Sequence, residues 1–328
     1  MKKKTGYILA YVIIGVLLVI MVLATGSYGL SKENLSIYGQ ALELESQMAE
    51  KTFLDYRITQ FPIAFFDGDY DYVITKEKEE LQVKKRKPVM QTFVGTAYWV
   101  EDHYEILMPT IEKFSSMIDM LYSADNLSNI SQEESALDET TYGSKEQIAT
   151  IYHEGFHAYQ FSNYEEQISA QLKGHTFDDE HFGEALIVEK IDNDEEQTRL
   201  YHQELVLLKK MVNSDNIEEI KELLKEYLKK DEVRRQKLTE ETLILENYYE
   251  LVEGSAYYVE SIAYEQVYDN EKLQNTYIEP MDVFSKGSHK YYNMGMAKCR
   301  ILDKLDPEWK NQFDFSMGLT EKLTEYVR

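Results

Sequence analysis

The pattern of apolar residues changes once along the chain, and this change constrains the fold more than any other feature. Residues 61–74 and 90–110 alternate aromatic and β-branched residues with polar ones and are interrupted by Asp-Gly and Glu-Asp turn signals, which is typical of β-strands. After Ser144, apolar residues recur at helical spacing almost to the end of the chain. This order predicts an α+β fold in which a small, mostly antiparallel sheet precedes a largely helical region.

The periodicity also predicts the individual elements. A helix is expected from Lys32 to about Arg57, and the lysine-rich segment 76–87 is expected to be an exposed connection. Residues 123–144 are polar and have no apolar period, which predicts a mobile surface loop. The remaining helices are expected over 110–123, from Ser144 onward, over roughly 182–213 and 216–266, and from near Ser288 to Pro307.

The N-terminus carries three lysines, Lys2 to Lys4, followed by an uncharged and mostly apolar run of 18 residues from Tyr7 to Ala24. That length is near the lower limit for a membrane-spanning helix and exceeds the roughly 7 to 15 residues of a signal-peptide core. We therefore expect a retained anchor, with a cleaved signal and a secreted product as the alternative. Because the lysines stay in the cytoplasm, the rest of the chain lies outside it. The anchor, a juxtamembrane helix and the main domain then occupy 1–27, 28–60 and 61–328.

Charge and cysteine content limit the partners and the kind of metal site. Of 35 basic and 59 acidic residues, three basic and no acidic residues lie in the first 27, so the remainder has a formal charge of −27. Such a chain repels nucleic acid and anionic membranes and favours neutral or cationic partners. The only cysteine, Cys299, excludes an intramolecular disulfide framework and a zinc site with several thiolates. Any transition metal must therefore be bound by histidine and carboxylate.

One segment has the spacing of such a site. In TIYHEGFHAYQ, residues 150–160, His153 and His157 lie one helical turn apart, so both imidazoles can reach one tetrahedral ion. Glu154 lies beside them and is placed to take a proton from a metal-bound water. This H-E-x-x-H pattern predicts a zinc-dependent hydrolase.

The residues around the motif favour this interpretation. Uncharged residues surround the three polar ones, which predicts a buried helix, and buried polar groups need partners. Glycine inside a helix costs about 1 kcal/mol relative to alanine, so Gly155 indicates close packing. The alternative is a surface helix with two histidines that bind nothing.

The motif resembles the zinc signature of the zincin metallopeptidases. Zincins whose third ligand is histidine continue as H-E-x-x-H-x-x-G-x-x-H, but this chain has Gln160 and Asn163 at those positions. The resemblance is therefore to the gluzincin branch, in which a glutamate from a later helix completes the site. Glu253 in ENYYELVEGSAYYVE is the candidate, because its Glu-Gly-x-Ala-x-Tyr pattern is similar to the third-ligand segment of bacterial gluzincin-like peptidases. Gly254 and Ala256 would let that helix approach the His153 helix.

The chain departs from the best-known gluzincins in two respects. Glu253 lies 96 residues after His157, much further than in those enzymes, which implies an inserted helical pair at about 182–245. Tyr257 replaces the usual acid four residues after the ligand, so Glu250 or Glu246 is expected to orient a histidine. Glu184, only 27 residues after His157, is a rival third ligand.

Two further segments fit the resemblance. FVGTAYWV, residues 93–100, looks like the edge strand to which zincins pair an extended peptide, although any β-hairpin has this pattern. SHKYYNMG resembles a C-terminal helix of related peptidases, in which Tyr292 or His289 would donate a hydrogen bond to the oxyanion, with packing as the alternative role for Tyr292. The remaining histidines are expected to be structural or exposed.

Together these features predict a membrane-anchored, extracytoplasmic zinc peptidase that acts on peptide or protein substrates. The expected zinc ligands are His153, His157 and Glu253, with Glu154 as the general base. The alternative is a non-catalytic, zinc-stabilised binding or scaffold protein at the cell surface. An intramembrane metalloprotease is excluded because the residues around the motif are too polar for a membrane span.

Overall fold

The computed structural model describes residues 29–77, 80–123, 143–177 and 182–327. The apolar run from Tyr7 to Ala24 and most of the predicted loop 123–144 lie outside the described residues. Within the part of the chain that is described, no helix is both long and apolar enough to cross a bilayer. The described residues form two compact units, one extending to Lys51 and from Asp55 to Ala158, the other comprising 52–54 and 159 onward.

The first unit contains a five-stranded sheet of order β3-β2-β1-β5-β4. Three of its four strand pairings are antiparallel and only β1 with β5 is parallel, as expected for a small, mostly antiparallel sheet. Its elements in chain order are α1 (Lys32–Lys51), β1 (Ile63–Phe66), β2 (Asp71–Glu77), β3 (Glu80–Arg86), β4 (Thr96–Val100), β5 (His103–Pro109) and α2 (Ile111–Ser123).

A long helix, α3 (Ser144–Gln171), follows, and its first part belongs to the same unit. The hydroxyl of Tyr152 donates to the carbonyl of Ala41 on α1, at 2.7 Å. The side chain of Asn34 on α1 donates to Glu112 and accepts from the backbone N–H of Ile111, which fixes α1 to the start of α2. Buried hydrogen bonds therefore join the helices of this unit.

The lysine-rich segment 76–87 is not a connection, as the sequence analysis expected, but contributes strand β3, which pairs antiparallel with β2. Its charge is compatible with a strand because β3 lies at an edge of the sheet, where lysines are common. Arg86 donates to both carboxylate oxygens of Glu105 and to Asp71. This ion pair offsets the cost of burying the two acids.

The second unit is built from helices. The predicted segment 182–213 begins with the short helix α4 (Glu184–Ile187) before α5 (Glu195–Asn213). The predicted segment 216–266 is two helices rather than one, because the chain leaves helical conformation after Arg235 and Thr239 caps the next helix at the backbone N–H of Thr242. The remaining elements are α6 (Ile217–Arg235), α7 (Glu240–Val267), α8 (Asn270–Leu273), α9 (His289–Leu305) and α10 (Leu319–Thr324).

Helices α7 and α9 approach each other at a pair of glycines. A Cβ placed on Gly254 would lie 2.4 Å from the Cα of Gly295, and one placed on Gly295 would lie 2.2 Å from the carbonyl oxygen of Glu250. The small residue of α7 therefore serves contact with α9, a role that the sequence analysis did not foresee.

Buried ion pairs connect the helices of this unit. The guanidinium of Arg234 donates to Glu204 on α5 and to both carboxylate oxygens of Glu246 on α7, and all three side chains are fully buried. Lys298 on α9 is paired with Glu250 at 2.5 Å. Burial acts to raise the pKa of Glu246, but the positive charge of Arg234 outweighs this effect and lowers the pKa to about 2. Burial raises the pKa of Glu204 to about 8 despite the opposing effect of Arg234.

Gly254→Ala tests the helix contact. The added methyl group has no space, so the free energy of unfolding should fall by about 1 to 3 kcal/mol, as for other overpacked cores. Urea unfolding followed by circular dichroism measures this change. Gly318→Ala is the control, since a Cβ there would meet nothing closer than 3.9 Å. Equal stability of the two variants would contradict the close approach.

Glu204→Gln tests the buried network through pH. Because the folded pKa of Glu204 is raised, its contribution to stability is present below its ordinary pKa of 4.5 and is lost as the pH rises through about 8. The free energy of unfolding of the unmodified chain should therefore fall over this interval, and the Gln variant should show a smaller fall. Glu222→Gln, on the exposed face of α6, should keep the full pH dependence. Identical profiles for the unmodified chain and Glu204→Gln would show that this carboxyl titrates normally.

Candidate metal centre

The H-E-x-x-H residues lie on a buried stretch of α3. Residues 151–160 are all buried, and His153 and His157 are each 7% exposed. The expectation of a buried helix is confirmed, and the alternative of a surface helix is wrong. The motif therefore holds two imidazoles and a carboxylate in a site where unpartnered polar groups are costly.

The two imidazoles converge on one point. Their Nε2 atoms are 3.1 Å apart, and their ring planes are inclined by 76°. Two ligand nitrogens at about 2.0 to 2.1 Å from one tetrahedral ion stand about 3.3 to 3.4 Å apart. The spacing therefore fits a pair of histidines that share a metal ion.

Glu154 is held by the backbone of the sheet. Its Oε2 accepts a hydrogen bond from the N–H of Ala97 on β4, at 3.0 Å, and its side chain is 9% exposed. The strand β4 is at the edge of the sheet, as expected for residues 93–100. A backbone donor on this edge strand thus fixes the position of the carboxylate.

Two glycines make room for this arrangement. A Cβ on Gly155 would lie 2.7 Å from the hydroxyl of Tyr56 and 3.1 Å from Ile106, which confirms the close packing expected of this residue. A Cβ on Gly95 would lie 2.7 Å from Cγ of Glu154. Gly95 and Ala97 were missed by the sequence analysis, because an N–H donor and a missing side chain leave no residue-type signal beyond the glycine itself.

Glu253, the predicted third ligand, lies in the other unit. It is half-buried on α7, whereas His153 and His157 belong to the first unit. Its role as a ligand stays a prediction. The donor set of two imidazoles and one carboxylate is one that zinc uses in hydrolytic enzymes.

Gln160 also connects α3 to the segment around Glu253. It stands where the other zincin branch begins its third-ligand sequence, and its Nε2 donates to the hydroxyl of Ser255 at 3.0 Å and to the carbonyl of Val252 at 3.2 Å. The side chain is fully buried. Val252 and Ser255 therefore contact α3 through Gln160.

The other candidate acids have different partners. Oε1 of Glu184 accepts from the backbone N–H and the hydroxyl of Ser288, at the start of α9. Glu246 is bound to Arg234 and Glu250 to Lys298. These ion pairs were not expected, because the sequence pattern does not show which face of α7 meets the buried basic residues, and the orientation of a histidine by Glu246 or Glu250 stays a prediction.

Tyr292 and His289 lie together on α9. Their rings are stacked, with centroids 5.3 Å apart and planes inclined by 15°. His289 is exposed and Tyr292 is half-buried. Their contribution to an oxyanion site stays a prediction.

The remaining histidines have ordinary structural contacts where they are described. Nδ1 of His103 lies 3.0 Å from Asp102, Nδ1 of His202 lies 3.0 Å from the carbonyl oxygen of Asp282, and the ring of His175 is stacked against that of Phe177. These contacts agree with the expectation that they are structural or exposed. His181 is outside the described residues.

Comparison of the chain with protein-family models, with curated proteins and with solved structures found no match in any of the three. The resemblance to the zincins therefore stays a prediction that depends on the motif and on the geometry described above.

Substitution of the two candidate carboxylates separates Glu253 from Glu184 as a ligand. Glu253→Ala should lower zinc content sharply, because it removes a ligand, whereas Glu184→Ala should keep the zinc and lose only the contact with Ser288. Zinc per chain is measured by elemental analysis after purification. Loss of zinc in Glu184→Ala alone would show that the assignment of the third ligand is wrong.

Proposed function

We propose that this chain is a membrane-anchored, extracytoplasmic zinc metallopeptidase with a zincin-like catalytic domain. The observation that carries the proposal is the convergence of the two imidazoles, whose Nε2 atoms are 3.1 Å apart on a buried helix. The adjacent Glu154 supplies a carboxylate at the same site. This combination is what a hydrolase needs to bind a metal and to move a proton.

His153, His157 and Glu253 would hold the ion. When bound, zinc acts as a Lewis acid toward water and toward a carbonyl oxygen. Two neutral imidazoles would not change the double positive charge of the ion, and the carboxylate of Glu253 would neutralise half of it. The remaining charge would keep the site electrophilic.

Glu154 would carry the proton. Its carboxylate takes a proton from the attacking water and then gives it to the amine that leaves when the C–N bond of the peptide breaks. The hydrogen bond from Ala97 holds the carboxylate in one orientation. Positioning of this kind lowers the entropic cost of the proton transfer.

The substrate would lie along β4. An extended peptide can add to the edge of a sheet by main-chain hydrogen bonds, which recognises peptides independently of their side chains. Tyr98 and Trp99 on this strand are 41% and 53% exposed, so apolar surface is available beside that edge. Peptide or protein segments in an extended conformation are therefore the proposed substrates, and Tyr292 or His289 is the proposed donor to the oxyanion.

The proposed membrane attachment rests on the sequence. Lys2 to Lys4 and the apolar run from Tyr7 to Ala24 predict one spanning helix with a cytoplasmic N-terminus. The catalytic domain then acts outside the cytoplasm, on substrates near the membrane surface.

The decisive experiment compares Glu154→Gln with His157→Ala in the full chain. Glu154→Gln keeps the size of the side chain but not its basicity, so zinc content should persist while peptide cleavage falls by about 10² to 10⁴. His157→Ala removes a ligand, so zinc, activity and thermal stability should fall together. Zinc content and cleavage of a peptide library are measured on the same preparations.

Two results would contradict the proposal. Absence of zinc from the unmodified chain after growth with zinc would exclude the metal centre. Stoichiometric zinc with no cleavage of any peptide would favour the non-catalytic, zinc-stabilised binding or scaffold protein instead.

A further inference from the structure

One edge of the sheet carries a concentration of positive charge in an otherwise acidic protein. Lys84 and Lys85 on β3 and Lys87 just after it are all exposed, and β3 is at the edge of the sheet opposite to β4. Lys84 and Lys85 point to opposite faces of the sheet, so it is the edge, which we call the basic edge, that brings the three together. The Nζ atoms of Lys85 and Lys87 lie 3.7 and 4.3 Å from the centre of the Tyr70 ring. The aromatic ring therefore gathers two of the three ammonium groups at one place.

Neighbouring acids leave this charge largely uncompensated. Arg86 is neutralised by Glu105 and Asp71, but within the described residues no carboxylate is in salt-bridge contact with the three lysines. Asp67 interacts electrostatically with Lys85. Burial acts to raise the pKa of Asp67, but hydrogen bonds from the backbone of Asp69 and Tyr70 and from the hydroxyl of Tyr72, together with the charge of Lys85, lower it.

The chain leaves the proposed anchor at the same place. Gly29, the first described residue, packs on Tyr72, since a Cβ placed on it would lie 2.9 Å from the ring. Tyr72 is the partner of Lys85 across the β2–β3 pairing. The point where the described chain begins therefore lies next to the basic edge of the sheet.

Chain length keeps this edge of the sheet near the bilayer. Gly29 follows Ala24, the end of the apolar run, by five residues. Five residues span at most about 18 Å when fully extended. The headgroup layer on each side of a bilayer takes up about 5 to 8 Å of this distance. Gly29 therefore lies within about 13 Å of the headgroup layer, so the three lysines can reach the zone in which charge on the lipid surface is felt, which extends about one Debye length of 8 Å.

We propose that Lys84, Lys85 and Lys87 bind the phosphate headgroups of anionic phospholipids and so dock the basic edge of the sheet on the membrane. The proposal rests on the proposed anchoring by residues 7–24 but not on zinc or on catalysis. Each lysine near an anionic surface contributes to binding, and three together favour the docked state by about two orders of magnitude. The acidic remainder of the chain is repelled by the same lipids, which makes the lysines the preferred point of contact.

A second role for lysines on an edge strand is protection against strand-to-strand aggregation. That role requires only exposed charge on the strand and does not depend on lipid composition. Dependence on anionic lipid is therefore the property that separates the two roles.

The test uses the full chain reconstituted in vesicles. Gln82 on β3 is exposed and is replaced by cysteine for attachment of a fluorophore, while the native Cys299 is buried. Quenching of the fluorophore by a headgroup-labelled lipid is compared in vesicles of phosphatidylcholine alone and of phosphatidylcholine with phosphatidylglycerol. Quenching should be greater with phosphatidylglycerol and should fall at 1 M salt, where the Debye length is about 3 Å.

The variant Lys84→Gln, Lys85→Gln, Lys87→Gln should lose this lipid dependence. A matched control, Lys221→Gln, Lys225→Gln, Lys229→Gln on α6, makes the same change in net charge and should retain it. Equal loss in both triple variants, or equal quenching in the two kinds of vesicle, would overturn the proposal. Flotation of the vesicles shows separately whether the chain is anchored, and failure to float would remove both the anchor and the docking while leaving the zinc assay unaffected.

Discussion

Burial of three polar side chains on one turn of a helix is the constraint on which the candidate site depends. His153, Glu154 and His157 lie where an unpartnered imidazole or carboxylate would destabilise the fold, so the surroundings must supply partners. The N–H of Ala97 is a hydrogen-bond partner of Glu154. The Nε2 atoms of the two imidazoles converge on one point. The sheet thus holds the Glu154 carboxylate as well as contributing to the core, because an edge strand offers a backbone donor without breaking a pairing.

Close packing against the backbone makes this possible, and glycines permit it. Gly155 brings α3 against Tyr56, whose hydroxyl donates to the carbonyl of Tyr152 at 2.8 Å, and Gly95 leaves room for the side chain of Glu154. In the helical unit, Gly254 and Gly295 do the same for α7 and α9. The segment that carries Glu253 is therefore held by backbone contact on one side and by the bond from Gln160 to Ser255, so that a ligand on it has a fixed position.

The sequence predicted those features that follow from periodicity and from residue spacing. The α+β order, the mostly antiparallel sheet, the edge position of residues 96–100 and the buried motif helix are confirmed, because each depends on a local pattern with one dominant solution. Strand β3 was missed because its lysines and glutamates hide the alternation of Leu81 and Val83. The break between α6 and α7 was missed because residues 236–239 include no glycine or proline to mark it. Partners of buried acids, such as Arg234 for Glu246, depend on helix packing that no local pattern specifies.

The same limit applies to the choice of the third ligand, which sequence spacing alone leaves open. Glu184 is nearer to His157 along the chain, yet its carboxylate holds the start of α9 through Ser288, and Glu253, much further along, stays the predicted ligand. A carboxylate that caps a helix and one that binds a metal differ little in sequence. What separates them is which donors surround the oxygens once the helices have packed. The backbone N–H and the hydroxyl of Ser288 both donate to Oε1 of Glu184, so this oxygen already has partners without a metal ion, and that makes Glu184 the weaker candidate for a ligand.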